Sequence, residues 1–130
     1  MRIPPHRERD RGQVALEYIG FVAILLLVGL AAIQLGIAAY AANQAGTGAR
    51  AAARAASLDR ARPGEPAAVT PEAAARAAVG GWLHPVPAGG SGGDEATYTV
   101  TVTIPSVIPG IGDFGTATRT STMPKLQPHP

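Results

Sequence analysis

Between Ile19 and Ile33 the chain carries no charged or polar side chain. The apolar run extends over residues 18–42, with Gln34 its only strongly polar interruption. A helix needs about 20 such residues to cross the hydrocarbon core of a bilayer. This predicts one membrane-spanning helix. The run is too long for the apolar region of a secretory signal, and no Ala-x-Ala cleavage site with a sharp end follows it.

The helix is expected to continue past the membrane. No proline stands between Gln13 and Arg62, and Ala is the strongest helix former. Asn43, Thr47, Arg50, Arg54 and Ser57 recur at spacings of three and four. They trace one polar stripe on an Ala- and Gly-rich shaft. A helix over 13–56 would be about 65 Å long at 1.5 Å per residue. Such a thin shaft lets other helices approach closely, as small residues do inside membranes. Ala32, Gln34 and Gly36 form a candidate helix-contact face. Gly46 and Gly48 each weaken the helix by about 1 kcal/mol relative to Ala.

Beyond the shaft, Ala61-Arg62-Pro63-Gly64-Glu65-Pro66 reads as a break. Thr70-Pro71-Glu72 opens a second helix, with Thr as N-cap, Pro at the first position and an acid in the first turn. It should end at Gly80-Gly81 or run to Leu83, with Val79, Trp82 and Leu83 on one face. Residues 85–93, rich in Gly and Pro, read as a flexible linker or loop. Residues 97–104 alternate strictly: Tyr98, Val100, Val102 and Ile104 on one side, four threonines on the other. This is a half-buried strand. Pro109-Gly110 marks a turn, and residues 114–123 form a Thr-rich second strand. A lone hairpin is marginal in water, so it should lean on the second helix through Trp82. Residues 124–130 read as an irregular tail.

The expected fold is therefore a membrane-anchored α+β chain. Its parts are a cytoplasmic basic and unstructured leader (1–12), a transmembrane helix (13–42) and an Ala/Arg-rich helix extension (43–62). A small extracytoplasmic region (63–130) adds a short helix, a C-terminal antiparallel β-hairpin and a flexible tail.

Composition narrows the function classes. The chain has 130 residues and no cysteine, which excludes disulfides and thiolate metal sites. It holds 11 Lys/Arg and nine Asp/Glu, and residues 1–12 take four of the former and two of the latter. The remainder balances at seven of each, leaving no electrostatic case for nucleic acid. His6, His84 and His129 lie far apart and match no metal spacing. No Ser-His-Asp grouping, phosphate-binding loop or pair of catalytic acids occurs. The chain reads as a non-enzyme without catalytic residues, cofactor or metal.

One carboxylate breaks the apolar pattern. Glu17 sits at the mouth of the helix, in Gly12-Gln13-Val14-Ala15-Leu16-Glu17-Tyr18. A carboxylate in a membrane segment is expensive and points to function. A plainer reading places it at the headgroup level, favoured by the positive helix N-terminus. The leader arginines orient the span with its N-terminus in the cytoplasm, but they do not explain the Gly-x4-Glu spacing.

A basic leader, a Gly, four residues, a Glu, an aromatic and an apolar helix together resemble the class III signal of prepilins. The chain as a whole resembles the TadE-like minor pilins (pseudopilins) of the tight-adherence pilus. The resemblance rests on the first ~56 residues, including Ala49-Arg50-Ala51-Ala52-Ala53-Arg54-Ala55-Ala56. Many members have Phe where Tyr18 stands and a proline inside the helix; this chain has neither. The resemblance implies cleavage of the Gly12–Gln13 bond by a prepilin peptidase, which leaves Glu17 at the fifth mature position. It implies that Glu17, with Tyr18 beside it, pairs with the free amine of a neighbouring subunit during assembly. The implied partners are that peptidase, other pilins and pseudopilins, the tight-adherence secretion machinery and membrane lipid. The implied location is the cell membrane, single-pass, with the C-terminal part outside or incorporated in a pilus. The rival expectation is an unprocessed, signal-anchored extracytoplasmic binding module or envelope protein.

Overall fold

The computed structural model describes residues 7–59 and 69–126, with side chains over 12–58 and 69–126. One helix dominates. The first helix, α1, spans Arg7–Asp59, 53 residues without interruption. The expected helix is therefore present, and it begins before Gln13. Residues 7–12, expected to be unstructured, are its first turns. Arg and Glu are good helix formers, and extending an existing helix avoids the cost of nucleation. The expected break at Ala61 to Pro66 lies outside the described residues.

The second helix, α2, spans Pro71–Ala78. Thr70 caps it as the sequence predicts, its Oγ1 accepting from the Ala73 N–H at 3.2 Å. It stops earlier than Gly80, because Val79 has already turned to an extended conformation at φ −100°, ψ 140°. The chain then turns, with the Leu83 N–H donating to the Gly80 carbonyl at 2.9 Å.

Three strands follow: β1 at Pro85–Gly92, β2 at Glu95–Pro105 and β3 at Asp113–Pro124. They form an antiparallel meander in the order β1-β2-β3. The expected hairpin is its β2–β3 half. The expected linker over 85–93 is instead an edge strand, paired with β2 from Pro85↔Val102 to Gly92↔Glu95. An edge is where a proline-bearing strand fits, since only one side of it must supply ladder hydrogen bonds. The β1–β2 connection is a two-residue turn with positive φ at Gly93, the glycine-first hairpin geometry. Pro109 and Gly110 make the turn before β3. Gly110 sits at φ 85°, and the Ile111 N–H donates to the Ile108 carbonyl at 3.2 Å, as a type II turn requires. Beside that loop the ladder is irregular: Pro105 faces Asp113 and Ile104 faces Gly115, leaving Phe114 without a residue opposite.

The alternation in β2 is borne out. Tyr98, Val100, Val102 and Ile104 are buried. On the opposite face Thr97, Thr99 and Thr101 hydrogen-bond across to Thr122, Thr120 and Thr118 at 2.8–3.1 Å. The buried face rests on α1, not on Trp82 and the second helix as the sequence suggests. Its core joins Ala41, Ala45, Ala49, Ala52, Ala53 and Ala56 of α1 to Ala75, Val79, Leu83, Val100 and Val102. The Ala-rich shaft is thus taken up by the chain's own sheet and second helix. Complete burial of Val100 and Val102 contributes roughly 1.5–3 kcal/mol each.

Two further expectations change. Asn43, Thr47, Arg50 and Arg54 are exposed as the polar stripe requires, but Ser57 is buried, its Oγ donating to the Arg54 carbonyl at 2.8 Å. The expected tail begins inside β3, and Lys125 is tied down after it. Its Nζ donates to the Gly93 carbonyl at 2.8 Å and its N–H to the Asp94 carbonyl at 2.8 Å.

Candidate functional site

Helix α1 divides into two halves by what covers them. From Gly12 to Ile33 no side chain is buried. Val14, Leu16, Tyr18, Ile19, Phe21, Ile24, Leu25, Leu26, Leu27, Val28 and Ile33 are all at least half exposed. From Gln34 onward one face is packed under the sheet and α2. Helix α1 is long and apolar enough to cross a membrane, and its most apolar 18-residue stretch has a mean hydropathy of 2.6 and is 6% buried. Residues 13–33 span about 30 Å of helix, the thickness of a hydrocarbon core.

The residues expected from the resemblance to be a processing site lie at the start of this half. Gly12 and Gln13 are in continuous helix, exposed, and nothing lies within 4 Å of a Cβ built on Gly12. Gln13 and Glu17 stand four apart, so they share a helix face one above the other. Glu17 is exposed, and so is Tyr18 beside it. The fold brings no other described part of the chain to these four residues. Their surface is available to something outside the molecule.

At the other end of the uncovered half stands a clasp that sequence reasoning missed. Gln34 is 1% exposed. Its Nε2 donates to the Pro105 carbonyl at 3.1 Å, and its Oε1 accepts from the Val107 N–H at 2.9 Å. One side chain thus satisfies both backbone groups at the start of the β2–β3 loop. Gln34, expected to mark a helix contact, holds a loop of its own chain, while Ala32 and Gly36 stay exposed. Gln44 repeats the device ten residues later, its Oε1 accepting from the Gly80 N–H at 3.3 Å. Between them Tyr40 stacks on Trp82, with ring centroids 5.7 Å apart and planes 7° from parallel. The available signal was the amide itself: a Gln inside an apolar run needs a partner.

Gly48 marks the closest approach to the shaft. A Cβ there would lie 2.9 Å from Val79 Cγ2 and 3.5 Å from Val100 Cγ1. The glycine that weakens the helix in isolation lets the rest of the fold close on it.

Comparison with known proteins gives one family. No curated protein and no solved structure matches the chain. Residues 12–54 match the family model described as TadE-like protein. The matched segment opens on Gly12 and covers both halves of α1, uncovered and packed, so the likeness to that family lies in the long helix.

Proposed function

We propose that this chain is a minor pilin, pseudopilin or assembly factor of a tight-adherence pilus. It is inserted with its N-terminus in the cytoplasm and the sheet outside. A prepilin peptidase cuts it after Gly12, and it joins other pilins through the uncovered half of α1 and Glu17. It has no enzymatic role. The observation that carries this reading is the TadE-like match from Gly12 through residue 54, over a helix whose first half is covered by nothing in the described chain.

The chemistry is consistent. The Gly12–Gln13 bond lies in helix, and a protease that reads extended backbone must first unwind it. Gly lowers that cost by about 1 kcal/mol relative to Ala and clears space around the bond. Cleavage creates an ammonium on Gln13, one helical turn from Glu17. In an apolar bundle a paired carboxylate is far cheaper than an isolated one.

Co-expression with a matching prepilin peptidase tests the reading. N-terminal analysis should begin at Gln13, and Gly12→Leu should block the cut. A chain still starting at Met1 in a host with active peptidase refutes processing. Glu17→Gln and Glu17→Val then separate a pilin from a plain anchor. Both variants should insert and be cut normally, yet lose crosslinking to other pilins. Truncating one member of a buried pair costs about 3–5 kcal/mol. Wild-type assembly by both variants would leave Glu17 an interfacial acid on an anchor.

A further inference from the structure

The sheet is oriented on the helix. Val100 lies beside Gly48 and Pro105 beside Gln34, so β2 runs antiparallel to α1. The β2–β3 loop therefore ends up at the edge of the uncovered apolar half. The opposite end of the sheet, with Gly93, Asp94, Glu95 and Lys125, lies farthest from it along α1.

The composition of that loop is unusual for a surface turn. From Ile104 to Gly112 there is no charged residue. Val107 is 37% exposed, Ile111 50% and Phe114 50%. A solvated turn of this length normally carries polar side chains. This one presents apolar ones and is pinned by Gln34 to the helix at the end of the uncovered stretch. Tyr40 is six residues above Gln34, about 9 Å along the helix. Its stacked partner Trp82 is 53% exposed. Aromatic rings of this kind concentrate at the membrane–water interface, where one side is apolar and the other wet.

We infer that the β2–β3 loop, Pro105 to Phe114, is a membrane-seating loop: Val107, Ile111 and Phe114 enter the outer-leaflet boundary beside α1, with Tyr40 and Trp82 at the headgroup level above them. The inference rests on the reading of residues 13–33 as the membrane span. The occupant is lipid, because the loop is continuous with the span's own apolar surface. The contact is apolar in kind. Asp113 is the charged residue at the loop's base, and no Lys or Arg lies between Ile104 and Thr118. Electrostatic attraction to anionic lipid is therefore absent from it, unlike a basic surface patch. The loop lets a small domain stand upright on the bilayer without a linker, because Gln34 and the loop fix its height.

The chain has no cysteine, so single cysteines can be placed and spin-labelled without background. The full chain is reconstituted in phosphatidylcholine vesicles carrying Ile111→Cys, Ser91→Cys or Leu26→Cys. Ser91 is exposed on β1 toward the far end of the sheet, and Leu26 is exposed in mid-span. Collision with oxygen relative to a water-soluble nickel complex reports depth. The label at residue 111 should give a ratio several-fold above that at residue 91 and below that at residue 26. Replacing a third of the lipid by phosphatidylglycerol, or raising salt, should leave the ratio unchanged. A water-like ratio at 111 with a lipid-like ratio at 26 overturns the seating loop and leaves the span intact. A water-like ratio at 26 overturns the span as well. Low collision with both reagents at 111 only when other pilins are added assigns the loop to a protein partner and overturns the lipid reading. A ratio at 111 that rises with phosphatidylglycerol would overturn its apolar character.

Discussion

Gln34, Gln44 and Gly48 carry more of this molecule than their residue types suggest. Gln34 supplies a donor and an acceptor to two backbone groups 71 and 73 residues away. Gln34→Leu would keep the volume and leave both groups unpaired, at roughly 1–3 kcal/mol each. The Val107 amide should then exchange with deuterium at least tenfold faster in detergent-solubilised protein, with α1 otherwise protected. Unchanged exchange at Val107 would show that the clasp does not hold the loop. Gly46 and Gly48 look alike in sequence, each a helix-weakening residue. A Cβ at Gly46 meets only Arg119 and Arg50 side-chain atoms at 3.8 Å or more, whereas at Gly48 it meets Val79 at 2.9 Å. Gly46→Ala should therefore stabilise by about 0.5–1 kcal/mol through helix propensity. Gly48→Ala should destabilise by about 1–3 kcal/mol through overpacking, and Val79→Ala added to it should recover part of the loss. Thermal unfolding of the four proteins checks the signs; equal effects at the two glycines would remove the packing argument.

At the scale of elements, β1 shows what local composition hides. Gly-Gly-Ser-Gly-Gly has every mark of a linker, because glycine pays the largest entropy on ordering. Yet Gly89 is placed where only glycine fits. A Cβ on it would collide with the Thr97 carbonyl oxygen and come within 2.9 Å of Tyr98, while Gly90 has open space around it. Gly89→Ala should peel β1 from β2, seen as lost amide protection over residues 85–92. Gly90→Ala should leave that protection in place. Comparable losses from both would mean that backbone entropy, and not close approach, governs the strand. By contrast β2 was legible residue by residue, since a period of two in Tyr98, Val100, Val102 and Ile104 has one physical solution on a half-covered sheet. The start of α2 was legible for a similar reason, because Thr70-Pro71-Glu72 satisfies the helix N-terminus from local atoms alone. Its end was not, because tertiary packing of Val79 and Leu83 on α1 outweighed helix propensity there.

The whole molecule is a helix with a sheet clasped to its upper half and an apolar surface left open on its lower half. The proposed topology makes a direct prediction. A tag after Pro130 should be cut by protease added to intact spheroplasts, and a tag at Met1 should be protected; the reverse pattern refutes it. The sequence by itself determined the long helix, the alternating strand and the Gly12-to-Glu17 register, because each is written in neighbouring residues: hydropathy, a period of two, and a fixed spacing along one helix. Only the tertiary structure decided that the Ala-rich shaft is filled by the chain's own sheet, that Gln34 binds a loop some 70 residues away, and that a glycine run is a strand. These outcomes depend on which surfaces meet, and Ala, Gly and Gln are the residues whose local signal is weakest when a partner is distant in the chain. Alanine offers a flat surface to any neighbour, glycine permits any approach, and an amide satisfies whichever donor and acceptor the fold brings to it.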